Sequence, residues 1–208
     1  MREGIRSYLY SLYVSCKTGN MNGLRPKILS YHRNIIKLSK GARLIVDDRV
    51  HFSTRPNTWP SCCFIELGKN STLHFTGRAT LRGESRIVLA EGARLIIGDH
   101  CILRERVWIS AHQEISMGDG SGIGQDGMII DSDVHPVTTD GKNQVTTKPV
   151  HIGKNVWVGA HCIILKGVTI GDETIIGAGS LVNKDVPDHV LAYGRPAQSH
   201  RKVDKGKV

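Results

Sequence analysis

Aromatic residues make up only 5% of this 208-residue chain, and no apolar run approaches the roughly 18 residues of a membrane span. With so few rings, a core must be built mainly from Ile, Val and Leu, and no integral membrane segment is expected. Proline, at 7, is scarce and glycine, at 23, is plentiful, a balance that regularly spaced turns explain better than disorder. The length suits one domain with a short appendage. The five cysteines, Cys16, Cys62, Cys63, Cys101 and Cys162, are odd in number and include no CxxC pair. Neither a disulfide framework nor a thiolate zinc site is signalled. Cys101 and Cys162 fall where small apolar residues recur, and read as reduced packing residues of a cytoplasmic protein.

Acidic residues are outnumbered by basic ones, leaving a formal net charge of +9. A basic surface attracts anions: nucleic acid, anionic lipid, acidic polysaccharide or a phosphate-bearing cofactor. Charge alone does not choose among them, and a solvated basic face explains it equally well. The N-terminal stretch MREGIRSYLYSLYVSC is broken by Tyr and Ser, which makes it a poor signal peptide. Residues 2–15 fit an amphipathic helix. Packing on the main body is the preferred role, and docking at a membrane surface the other.

The informative feature is a repeat of short period. Ile152, Val158, Ile164, Ile170, Ile176 and Val182 recur every six positions. A second series of small or β-branched residues, Val150, Val156, Cys162, Val168, Thr174 and Ser180, precedes each by two. Six is not a helical period. Two inward residues flanking one outward residue, then a corner, describe a very short strand. Such strands bury their side chains only against the coils above and below, which is a solenoid. The register continues upstream through Ile87/Leu89, Leu95/Ile97, Cys101/Leu103, Val107/Ile109, Ile115/Met117, Ser121/Ile123 and Gly127/Ile129. Earlier still come Leu44/Val46, Val50/Phe52, Ile65/Leu67 and Leu73/Phe75. The expected organisation is an appendage over 1–35, partly helical, a solenoid over 36–185 and a tail over 186–208. Two segments break the rhythm: 53–63, with Pro56 and Pro60, and the polar stretch 132–149. Loops of this size in a regular solenoid tend to be functional.

Three landmarks carry a family resemblance: Asp131-Ser132-Asp133-Val134-His135-Pro136; Val156-Trp157-Val158-Gly159; and Ile176-Gly177-Ala178-Gly179-Ser180-Leu181-Val182 running on to Gly194-Arg195-Pro196-Ala197. With the tandem repeat they resemble the hexapeptide-repeat acyltransferases, in the branch of sugar and capsular polysaccharide O-acetyltransferases. The resemblance implies an all-β fold, a left-handed parallel β-helix, assembled as a homotrimer with active sites between subunits. It implies acetyl-CoA as co-substrate and a sugar or polysaccharide acceptor, with no role for nucleic acid.

Acetyl transfer to a hydroxyl needs a base and donors for an oxyanion. His135 matches the family's catalytic histidine, and imidazole suits a base at neutral pH. If its stretch is extended, Asp131, Asp133 and His135 share one side. Asp133 would then orient the imidazole, while Asp131 reads as a turn cap. Trp157 occupies an outward position and by resemblance lines the acetyl-CoA or acceptor channel; a subunit contact is the plainer alternative. Ala160 and Ala178 match positions that bond the pantetheine chain, and Gly159 and Gly177 allow close approach. Lys184 and Arg201 match positions near the CoA phosphates, against the alternative of solvated charges. The sequence departs from several sugar acetyltransferases at Gly83-Glu84-Ser85, where they carry an asparagine. This favours the capsule-like branch. Three other readings stand beside this one: a zinc enzyme of the same fold, resembling the γ-class carbonic anhydrases, with His151 and His161 joining His135; a non-enzymatic polysaccharide-binding solenoid; and an N-acyltransferase on an amino sugar. No metal site is expected, because the close histidine pair of the zinc relatives is absent.

Overall fold

The computed structural model describes residues 2–23, 25–30, 34–52, 62–136 and 138–204, with side chains from residue 8 onward. The loop expected at 53–63 lies, for residues 53–61, outside the described residues. The described chain is a left-handed parallel β-helix preceded by one helix, Arg2–Lys17.

Three parallel sheets form its walls. The first wall stacks Ile28–Ser30, Val50–Phe52, Ala79–Leu81, Cys101–Leu103, Gly122–Ile123, Trp157–Val158, Ile175–Ile176 and Val190–Gly194. The second runs from Ile35–Leu38 to Leu181–Val182 through Arg86–Leu89, Trp108–Ala111, Met128–Ile130 and Ile163–Ile164. The third runs from Arg43–Val46 to Thr169–Ile170 through Glu114–Met117 and Val150–Ile152. Each coil visits the three walls in turn, so each strand pairs with the coils before and after it.

Alternation decides what is buried. Strands such as Phe64–Leu67 and Thr72–Phe75 bury every second residue. Register then stacks like on like, with Ile65, Ile87, Ile109, Ile129, Ile164 and Val182 in one inward column. All the inward pairs read from the repeat are buried, with Phe52 and Phe75 meeting edge-on at 6.5 Å between centroids.

The corners have their own chemistry, because backbone amides there turn out of the sheets. Along the edge between the third and first walls, aspartates reach back one coil to satisfy them. Asp99 accepts from Arg78 N at 2.7 Å, Asp119 from Asp99 N at 2.9 Å, and Asp172 from Lys154 N at 2.7 Å. Asp188 does the same for Asp172 N at 2.9 Å. The backbone hydrogen bond from Arg78 holds the Asp99 carboxyl below the usual range.

The solenoid strands run past the bounds read from the repeat. Ile28–Ser30 already pairs with Val50–Phe52, and Val190–Gly194 pairs with Ile175–Ile176 before folding back antiparallel as Ala197–Lys202. Neither end repeats the six-residue pattern, so periodicity did not reveal them. At the start, Val14 of the helix enters the core, and Ser11 and Ser15 bond the backbone of Ser30 and Ile28.

Phe75→Ala should cost about 3–5 kcal/mol in denaturant unfolding. Thr80→Ala, on an outer wall position, should stay within about 0.5 kcal/mol. Equal effects would contradict the assignment of inward and outward residues.

Candidate functional site

The long loop leaves the second wall after Met128–Ile130 and rejoins the third at Val150–Ile152. Its legs run antiparallel: Asp133 N donates to Thr146 O at 2.9 Å, and Lys148 N to Asp131 O at 2.9 Å. Ser132 Oγ accepts from Thr147 Oγ1 at 3.1 Å and from Val134 N at 3.0 Å. The tip is a two-residue hairpin, Thr139 pairing Lys142, with Asp140 and Gly141 both at positive φ (51° and 71°) as a type I′ turn requires. Asp131 is buried and accepts from His112 N at 2.7 Å and Gln113 N at 2.8 Å, so it anchors the base of the loop to the preceding coil.

Between these legs the expected extended run is broken. Val134 has φ +65°, and His135 N donates to Asp133 O at 2.7 Å, closing a three-residue turn. A β-branched residue at positive φ costs of order 1–3 kcal/mol and persists only where surrounding bonds impose it. The turn separates the side chains that alternation would have aligned. Asp133 bonds the Lys166 ammonium and not the His135 ring. Lys166 also donates to Val145 O at 2.7 Å, so one cation clamps both legs. The His135 side chain is exposed. Lys166 was missed by the sequence reading; it lies in a hexad far from the loop in sequence and nothing local marks it.

Trp157 lies on the outer face of the first wall, between Gly122 and Ile175, and is 40% exposed. Its indole crosses Gly122 so closely that a Cβ there would sit 2.7 Å from the ring. Gly122 is thus the floor of the tryptophan. The available signal was a glycine at an outward position one coil earlier.

The small residues gather on the corner between the first and second walls. A Cβ on Gly124 would meet Ala160 N at 2.6 Å, and one on Gly159 would meet Ala178 N at 2.6 Å. Gly177 abuts Tyr193, and Gly179 N donates to Ala160 O at 2.8 Å. Backbones can stack this tightly only without side chains. Beside Gly179 (φ +74°) no described heavy atom approaches a Cβ within 4 Å, so the corner opens outward there.

Trp157, Gly159, Ala160, Gly177 and Ala178 are therefore brought together. His135 and Asp133 stand at the opposite corner of the second wall. Lys184 is exposed at that same corner, one coil beyond Lys166. Arg201 is exposed on the folded-back strand, opposite Leu191. His151 bonds Ser116 Oγ at 2.9 Å on the third wall, and His161 approaches Asp126 at 3.7 Å on the glycine corner. Among the described residues, no three His, Cys, Asp or Glu side chains gather as metal ligands. Burial pushes the Cys101 thiol up to about 11 and raises that of Cys162, as suits inert packing residues.

The family model for the bacterial transferase hexapeptide (six repeats) matches residues 149–184. The matched segment is a run of hexapeptide repeats. A galactoside O-acetyltransferase of Escherichia coli K12 is 34% identical over 123 residues, 58% of this chain and 60% of that protein. A galactoside O-acetyltransferase of Lactococcus lactis is 48% identical over 77 residues, 36% of this chain and 37% of that protein. The match to acetyltransferases of Staphylococcus aureus likewise spans only 36% of their length. The crystal structure of the polySia-specific acetyltransferase NeuO has the same fold, with TM-score 0.60 at 21% identity over 88% of this chain and 92% of that one. The block matched by the family model holds Trp157, Gly159, Ala160, Gly177, Ala178 and Lys184, and the His135 loop precedes it.

Lys166→Met should release the loop, raising hydrogen exchange at the Asp133 and Lys148 amides by at least about tenfold while the core amides stay protected. Unchanged exchange would show that the clamp is idle. Gly122→Val should displace the indole and destabilise the fold by about 1–3 kcal/mol, read from tryptophan fluorescence and unfolding.

Proposed function

We propose that this protein is an acetyl-CoA-dependent O-acetyltransferase that acts on a hydroxyl of a sugar or cell-surface polysaccharide. The observation that carries the reading is an exposed imidazole on a loop pinned at its base by Asp131 and across its legs by Lys166. A loop that serves only as a connection has no need of a strained turn held by such a clamp. The 34% identity to a galactoside O-acetyltransferase over 58% of this chain supports the same chemistry.

In this mechanism the His135 imidazole takes the proton of the acceptor hydroxyl as its oxygen attacks the thioester carbonyl. The tetrahedral intermediate carries its negative charge on the former carbonyl oxygen. It collapses by breaking the carbon–sulfur bond, and the departing thiolate takes the proton back from the imidazolium. An acetyl ester and free CoA result. Asp133, paired with Lys166, serves as a positioning residue for the turn that aims His135. Trp157 supplies a wall of the channel, and its N–H is a candidate oxyanion donor.

The pantetheine arm is assigned to the corner of Gly159, Ala160, Gly177 and Ala178. The open space beside Gly179 suits an extended chain, and small side chains expose backbone groups to it. Lys184 and Arg201, both exposed cations, are assigned to the CoA phosphates. The glycine corner and the His135 corner bound opposite edges of one wall, so a site containing both draws them from neighbouring copies. A homotrimer meets that requirement by cyclic symmetry. The half-exposed Trp108 and Trp157 on adjoining walls are the surfaces such contacts would cover. Five free cysteines suit the cytoplasmic setting this reading assumes.

The test is thiol release from acetyl-CoA with sugar and oligosaccharide acceptors. His135→Ala should lower kcat by about 10²–10⁴ with folding intact. Near-normal turnover would remove His135 from the mechanism, and no turnover by the wild type with any hydroxyl acceptor would favour a binding solenoid. Lys184→Ala should raise KM for acetyl-CoA more than it lowers kcat. An unchanged KM would leave Lys184 a surface charge.

A further inference from the structure

Over residues 8–17 the N-terminal helix turns two serines toward the core and leaves several large apolar side chains outside. A surface helix ordinarily turns its apolar stripe to the core and its polar face to water. Here the inward positions include Ser11 and Ser15, both buried, with Val14 between them. Ser11 Oγ accepts from Ser30 N at 2.9 Å and donates to Ser30 O at 3.3 Å. Ser15 Oγ does the same for Ile28 N at 3.0 Å and Ile28 O at 3.4 Å. The strand Ile28–Ser30 ends its sheet, and an edge strand has unpaired backbone groups. The serines satisfy these groups, so they must face inward.

That arrangement sends large apolar side chains out. Tyr8, Leu9 and Tyr13 are 49%, 58% and 59% exposed. Leu9 and Tyr13 are four residues apart and share a face. Lys17 continues that side, its ammonium 6.0 Å from the Tyr13 ring. Arg25 is exposed on the neighbouring short strand that packs against the helix. Residues 1–30 contain five cations, Arg2, Arg6, Lys17, Arg25 and Lys27, against one acid, Glu3.

We propose that this helix is a docking surface for an anionic membrane, lying in the plane of the lipid headgroups with Leu9 and Tyr13 dipped into them. Tyrosine suits that boundary, since its ring is apolar and its hydroxyl stays wet. The basic excess supplies the attraction to anionic lipid. Lys17 and Arg25 are both exposed there, so a second copy seated on the same face would bring like charges together. At 16 residues the helix is about 24 Å long, enough for peripheral contact, and no helix among the described residues is long and apolar enough to span a bilayer. The inference is independent of the acetyltransferase reading.

Flotation of the full chain with phosphatidylglycerol-containing vesicles, against pure phosphatidylcholine vesicles, tests it. The wild type should float with the anionic vesicles and be released by added salt. The double variant Leu9→Ser/Tyr13→Ser should bind at least about tenfold more weakly, with unchanged melting and unchanged thiol release. Because that pair alters the helix, Lys17→Glu/Arg25→Glu provides a second arm and should abolish the preference for anionic lipid. Failure of the wild type to float, or equal flotation of wild type and both variants, would overturn the proposal. So would a drop in solution mass in the Leu9/Tyr13 variant without loss of vesicle binding, which would assign the face to a second copy.

Discussion

The structure depends on one constraint: each coil must place its backbone directly on the backbone of the coil before it. A strand of two to four residues has no stability alone. It persists because its amides and carbonyls pair with both neighbours and its inward side chains join columns of like residues. At the corners, where sheet pairing lapses, glycines allow backbones to approach and aspartates supply the missing acceptors. Gly98, Gly153 and Gly171 each leave room for the Asp of the next coil, Asp119, Asp172 and Asp188. The recurring glycines and aspartates of the sequence are two halves of one device.

Such a scaffold is rigid along its axis and featureless by default, so function must enter as a departure from the repeat. Among the described residues three departures stand out. A loop is inserted between the second and third walls, and its own hydrogen bonds impose a turn that the backbone would not choose. A tryptophan stands outward on the first wall over a glycine floor. A helix covers the first edge strand with serines and leaves tyrosines and a leucine outside. Each places a chemically competent group where the hexads alone would present a flat wall.

Much of the fold was legible because burial in a parallel coil obeys a strict local rule. The inward pairs from Leu44/Val46 to Ser180/Val182 could be named from spacing alone, as could the loop at 132–149. The ends were not legible, since Ile28–Ser30 and Val190–Gly194 enter the sheets without repeating the hexad. Within the site, the alternation of Asp131, Asp133 and His135 suggested a shared face. The turn at Val134, set by bonds within the loop, and the pull of Lys166, 33 residues from Asp133 along the chain, redirect them.

The sequence by itself determined the period, the inward residues, the place of the insertion and the small residues of the glycine corner, because these follow from local alternation and from what side-chain size permits. The tertiary structure alone decided which partners the loop carboxylates take, what supports Trp157 and which way the first helix faces. Those outcomes depend on groups from separate coils meeting in space, and no spacing along the chain encodes where a neighbouring coil will leave an amide, a carbonyl or a cation.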